Sequence, residues 1–240
     1  MSILEKALSH SKKIGIDECE IVTVEKKTTT VRITDSEIVE IKQNFDKKYG
    51  IRIIHQKKIV SIQTTDNQNI EKTIDSIFET ISNFKPREFW KGLPYKISAR
   101  KIEGTFDEKL EEISGKNSMD IAQSMINSAD SEKIDTITGS LNIVSEDFQL
   151  RNSQGLEFND KATYVSGIIN AESEQGNIPV SGIGHASGRT LSNFSKEQIG
   201  EDAKIMCIES INPQKIESDT YPIIFEPYSV GELLAFVVAS

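Results

Sequence analysis

Cys19-Glu20-Ile21-Val22-Thr23-Val24, Thr28-Thr29-Thr30-Val31-Arg32-Ile33, Ile38-Val39-Glu40-Ile41, Gly50-Ile51-Arg52-Ile53-Ile54 and Ile59-Val60-Ser61-Ile62 follow one another in a single stretch. Apolar and branched side chains recur at every second position, the period of a strand with one buried face. Asp35-Ser36, Asp46 to Lys48 and Gln56 to Lys58 separate the runs with turn-favouring residues. The stretch reads as an antiparallel meander of about four strands.

Helical periodicity brackets it. Ile3, Leu4, Ala7, Leu8 and Ile14 predict a helix over residues 3–14, ended by Gly15 with Lys12 and Lys13 in its last turn. Asp66-Asn67-Gln68-Asn69 supplies the cap of a second helix with Ile70, Ile74, Ile77, Phe78 and Ile81 inward. Residues 1–84 thus form a first α+β unit of helix, meander and helix. Residues 85–106, punctuated by Pro86, Gly92, Pro94 and Gly104, read as an ordered connector pinned by Trp90 and Tyr95.

Residues 107–214 form a second α+β unit. A helix over Ser118–Ala129 precedes strands at Ile134–Val144, Asp147–Asn152, Leu156–Phe158, Ala162–Ala171 and Ile178–Gly188. The helix that follows, Ser195 to Ile211, starts with Ser195 and Gln198 in capping-box spacing. Gly200 inside it predicts close packing on another backbone. In residues 215–240, Ile223-Ile224-Phe225 reads as a short buried strand and Pro227 as the first position of a helix. Gly231 to Ser240 is apolar all round, so a second chain or a further domain must cover Leu233, Leu234, Phe236, Val237 and Val238; the missing domain is the favoured expectation. The fold class is α+β: two consecutive units of antiparallel β-meander with flanking helices, ending at the start of a third, incomplete region.

Composition narrows the function. Over 240 residues, 37% are hydrophobic and 27% charged, with a formal net charge of −9. That balance argues against nucleic acid or anionic lipid as a partner, and the lysine doublets at 12–13, 26–27, 47–48 and 57–58 are broken up by acids. No run reaches the roughly eighteen apolar residues of a membrane span, and the N-terminus is amphipathic, so a cytoplasmic protein is expected. Cys19 and Cys207 form no CxxC pattern and read as buried small hydrophobes.

Catalytic signatures are missing. Of three histidines, His10 falls on a helix and His55 in a turn; only His185, within Gly182-Ile183-Gly184-His185-Ala186-Ser187-Gly188, has glycines that would let a ligand approach the backbone. Gly182, Gly184, His185 and Gly188 are the candidate ligand loop, with a plain hairpin as the alternative reading. No GxSxG elbow, P-loop or dinucleotide fingerprint occurs.

Gly50-Ile51-Arg52-Ile53-Ile54 followed by Lys57-Lys58-Ile59-Val60-Ser61-Ile62-Gln63-Thr64-Thr65-Asp66 resembles the first-domain segment of the TldD/PmbA family, the modulator of DNA gyrase proteins that form peptidase complexes. Leu150-Arg151-Asn152-Ser153-Gln154-Gly155 is similar to the family's Asn-Ser-x-Gly turn. Ile199-Gly200-Glu201-Asp202-Ala203, Ile211-Asn212-Pro213 and Tyr221-Pro222-Ile223-Ile224-Phe225-Glu226-Pro227 resemble the helix and strand that open its C-terminal domain. The family's metal-bearing member carries His-Glu-x-x-x-His on the next helix. Laid against this sequence, the motif falls on Ala235, Phe236 and Ser240, none of which can bind zinc or act as a general base.

The resemblance is therefore to the N-terminal part of a PmbA/TldE-like member. It implies no cofactor in this chain, zinc in a TldD-like partner subunit, a heterodimer (or a self-dimer), and proteolysis of unfolded or small peptides. A stand-alone peptide- or ligand-binding scaffold using its sheet edges is the alternative, and a hydrolase built around His185 is the third.

Overall fold

The longest strands meet in one hairpin. β1 (Glu18–Thr34) and β2 (Glu37–His55) pair antiparallel over their whole length in the computed structural model, which describes residues 2–95 and 102–239. β3 (Lys58–Thr64), β4 (Thr136–Asn152), β5 (Glu157–Ser173) and β6 (Val180–Gly188) complete a single six-stranded sheet of order β3-β2-β1-β4-β5-β6. The two meanders are thus joined edge to edge: β1 pairs with β4 from Glu20↔Asn152 to Ile33↔Gly139.

Helices α1 (Ile3–Lys13), α2 (Ile70–Thr80), α3 (Glu108–Glu111), α4 (Gly115–Ala129) and α5 (Lys196–Glu209) enclose two separate cores. Cys19, Ile21, Ile51 and Ile53 pack with Leu4 and Ala7 of α1 and Ile74 and Ile77 of α2. Val31 and Ile33, at the far end of the same strand, pack with Ile121 and Met125 of α4 and Ile199 and Ala203 of α5. Both sets occupy odd positions of β1, so both helical layers lie on one face of the sheet.

Several expectations change in the tertiary structure. Asp46 to Lys48 is no turn but the middle of β2, where Lys47 lies opposite Glu25 and Asp46 opposite Lys26. Opposite charges on the neighbouring strand stabilise what looks locally like a break. For the same reason the runs expected at 134–144 and 147–152 are one strand, β4, and those at 156–158 and 162–171 are β5. Ile223-Ile224-Phe225 is not a buried strand: it lies outside the sheet, with Ile224 97% exposed. Ser195 makes no side-chain cap bond, and Gln198 Nε2 donates to Asp202 Oδ1. Trp90 does pin the connector, donating from Nε1 to Glu18 Oε2, but Tyr95 is 73% exposed.

The turns at Asp35-Ser36 and Gln56-Lys57 join the strands through two residues each at positive φ (51°, 62°, 50° and 60°), the type I′ geometry that suits strand twist. Left-handed backbone costs an L-residue roughly 1 kcal/mol, and Lys57 makes only an exposed ion pair with Glu88 at 3.7 Å. Lys57→Gly is expected to raise the urea midpoint and Lys57→Val to lower it; a stabilised valine variant would contradict the strain.

Candidate functional site

The candidate ligand stretch lies on the strand expected at Ile178–Gly188. Gly182 to Gly188 falls on β6, and the helix-side faces of its glycines are filled by α5. A Cβ on Gly184 would sit 2.8 Å from the Ala203 amide nitrogen and closer still to the Ile199 carbonyl oxygen; one on Gly182 would meet the backbone of Ala203 and Cys207. These glycines admit a helix backbone, so no ligand reaches them from that face. Gly200 does the same on the other side of α5, against Met125 and Ala129 of α4. Gly188 lies against Asn193 and Thr190, in the turn that follows β6.

His185 projects from the opposite face, exposed, with its ring centroid 4.3 Å from that of Tyr228 on α6 (Pro227–Ala239). Further along the same face, strand register gathers a polar cluster. Lys26 Nζ donates to Tyr164 Oη at 2.9 Å and lies 3.3 Å from Glu146 Oε1. The guanidinium of Arg189 stands 5.9 Å from the Tyr164 ring centroid. The Tyr164 hydroxyl, with Glu146, holds the Lys26 ammonium above its ordinary value. Lys26 is thus a fixed positive donor rather than a base. Thr30 Oγ1 donates to Asn142 Oδ1 at 2.8 Å on the same face. Sequence reasoning missed Lys26, Tyr164, Glu146 and Arg189, because they meet only across three strand registers.

On the helix-bearing face, between the two cores, Lys47, Glu25, Asp147 and Lys161 stand opposite one another across β2, β1, β4 and β5. Lys47 pairs with Glu25, and Lys161 Nζ lies 2.7 Å from Glu111 Oε1 of α3. Lys27 Nζ donates to the Glu111 carbonyl at 2.9 Å. Each of these lysines finds an oxygen acceptor, so this cleft is neutralised from within. Glu25 and Glu111 raise the pKa values of Lys47 and Lys161 respectively, chiefly by hydrogen bonding.

The remaining ionisable candidates are structural. His10 Nε2 meets Asp75 Oδ1 at 2.7 Å and ties α1 to α2, and His55 packs edge-on to Phe78. Cys19 and Cys207 are buried thiols, and burial pushes that of Cys19 up to about 11. Ala235 and Phe236 lie on α6, Phe236 79% exposed, and neither has a donor atom for a cation; Ser240 lies outside the described residues. The two described positions on which the resembled zinc motif falls thus offer no metal-ligating atom. Among the described residues, no group of three or more His, Cys, Asp or Glu stands together as a metal site. Among them, too, no helix is long and apolar enough to cross a membrane.

A helix-backed antiparallel sheet of this kind is also found in known proteins. Residues 19–83, from β1 through α2, match the family described as PmbA/TldA metallopeptidase domain 1. Over those residues the chain is similar to the first domain of PmbA/TldD proteins. A Bacteroides thetaiotaomicron protein described as a modulator of DNA gyrase superposes with a TM-score of 0.83 at 16% identity, over 99% of this chain and 56% of that one. A Thermotoga maritima protein described as a modulator of a DNA gyrase gives 0.77 at 20% identity, over 90% and 50%. TldE from Thermococcus kodakarensis gives 0.74 at 18% identity, over 85% and 47%. At these identities the likeness is one of fold, and the chain spans about half the length of each structure. No curated protein matches it.

Proposed function

We propose that this chain acts in the cytoplasm as the subunit without zinc in a TldD/TldE-type peptidase complex that degrades unfolded or small peptides. The observation that carries the reading is the pair Ala235 and Phe236, which present only hydrocarbon where the family's motif has its first histidine and its glutamate. A chain with the family's first domain and no ligand at those positions needs a partner to supply the metal. This chain contributes walls and peptide contacts; a TldD-like subunit contributes the zinc and its chemistry.

The test mixes the purified chain with a zinc-bearing TldD-like subunit and follows cleavage of a fluorogenic unfolded peptide. Expected are well under one zinc per isolated chain, no cleavage by it alone, and strong activation on mixing. Stoichiometric zinc held by the isolated chain would overturn the reading. The uncovered edge of β6 favours one second reading, a stand-alone peptide-binding module. A monodisperse monomer with no affinity for any TldD-like subunit would select it.

A further inference from the structure

The outer edge of β2 is only partly covered. β3 pairs with it from Tyr49 to His55, and among the described residues no strand lies beside it before Tyr49. Near its other end the register with β1 shifts between Arg32 and Ile33, which makes Val39 the extra residue of a bulge. Glu40 to Lys48 is therefore a regular stretch of strand with an open edge, and every residue in it is exposed. Ser153 N–H donates to the Cys19 carbonyl at 2.8 Å, so odd positions of β1 bond β4 and even ones bond β2. By the same alternation the amides and carbonyls of Ile41, Gln43, Phe45 and Lys47 point out of the sheet.

Charges of one sign on an open edge keep other strands away. Here both signs occur on one face, at Glu40, Lys42, Asp46 and Lys48, with Asn44 between them. Among the described residues Lys42, Asp46 and Lys48 form no ion pair, and Glu40 makes only an exposed one with Arg32 at 3.4 Å. The open run is bounded by the bulge on one side and by β3 on the other, and its midpoint is Asn44. A second copy laid antiparallel about a two-fold axis at Asn44 uses the whole run. Glu40 then faces Lys48 of the copy and Lys42 faces its Asp46, each pair occurring twice. Sliding the copy by two residues sets Glu40 against Asp46 in one direction and Lys42 against Lys48 in the other. Charge thus selects the register that the two ends of the run already define. On the other face Phe45, 70% exposed, lies diagonally against Ile41 and Phe45 of the copy.

We infer that two copies of this chain join along β2, antiparallel about Asn44, into one continuous sheet. The inference goes beyond the subunit role proposed above and does not rest on it. The bulge at Val39 bends each strand before it meets β3 of the other copy. So short a run covers less than the ~800 Å² per partner of a standard interface, so the dimer is reversible and concentration-dependent.

The test follows the full chain, without partner or zinc, by sedimentation velocity at rising concentration. Reversible dimerisation is expected. Lys42→Asp and Asp46→Lys each place like charges opposite one another twice and are expected to weaken the dimer at least about tenfold. The double variant, in which the charges are exchanged, is expected to recover wild-type affinity. Asn44 meets its own copy in a non-hydrogen-bonded pair, with Cα atoms ~4.5 Å apart, within disulfide reach. Asn44→Cys is expected to crosslink under mild oxidation, and Gln43→Cys, opposite Phe45, is not. A monomer at every concentration, single variants that associate like the wild type, a double variant no better than either single, or no crosslink at position 44 would overturn the inference. Association through the exposed α6 would leave all these variants unchanged and so count against it. Each of those outcomes leaves the subunit reading standing, and failure to activate a TldD-like subunit leaves the β2 dimer standing.

Discussion

Gly184→Ala is expected to cost about 3 kcal/mol or more and to lower the melting temperature by roughly 6–12 °C. The methyl group would enter the space of the Ile199 carbonyl and lie 2.8 Å from the Ala203 amide. Both atoms belong to the α5 backbone, which cannot rotate aside as a side chain would, so the whole helix has to move. α5 is held from behind as well, because Gly200 rests on Met125 and Ala129 of α4. Gly200→Ala is expected to be comparably damaging, and the double variant to cost at least the sum, since moving α5 off one contact presses it onto the other. Gly50→Ala is the control: its Cβ would meet only Val22 Cβ, at 3.9 Å, and the cost should stay within about 0.5 kcal/mol. Calorimetry of the four variants beside the wild type decides the matter. A Gly184→Ala variant that melts with the wild type would mean that β6 and α5 do not approach as described.

Asn152→Ala is expected to cost about 2–4 kcal/mol, since three hydrogen bonds of one buried side chain disappear together. Asn152 Oδ1 accepts from the amides of Gln154 at 2.9 Å and Leu156 at 3.0 Å, and Nδ2 donates to the Pro94 carbonyl at 2.8 Å. The side chain thus shapes the β4–β5 turn, where Gly155 sits at φ +80°, and anchors the connector. The adjoining Ser153 ties the same turn to Cys19 through its amide, at 2.8 Å, and its hydroxyl, at 3.1 Å. Glu18 holds the connector at a second place, accepting from Trp90 Nε1 and the Leu93 amide. Because Trp90 is the only tryptophan, its emission reports on connector release. A red shift accompanying the lost stability is expected. Gln154→Ala, which removes a side chain that shapes none of these bonds, should change neither; an Asn152→Ala variant as stable as Gln154→Ala would remove Asn152 from this role.

Residue periodicity alone determined the first meander, the helices that bracket it and the α+β class, because alternation and helical spacing are properties of neighbours in the chain. Gly200 announced its close contact, since a glycine inside a helix has few other uses, and the Asn-Ser-x-Gly turn was legible only through the family resemblance. Asp46 to Lys48 and Glu146-Asp147 were not, because a charge in a strand looks like a turn until the opposite strand supplies its counter-ion. Gly182 to Gly188 was read as strand, but its glycines serve a ligand contact and a tight helix contact equally well, and only the position of α5 shows what fills their inner face. The sequence singled out His185, but Lys26, Tyr164, Glu146 and Arg189 became a cluster only once β1, β4, β5 and β6 were in register. Local pattern specifies which elements form; pairing between distant segments decides which side chains and which backbone edges they present together.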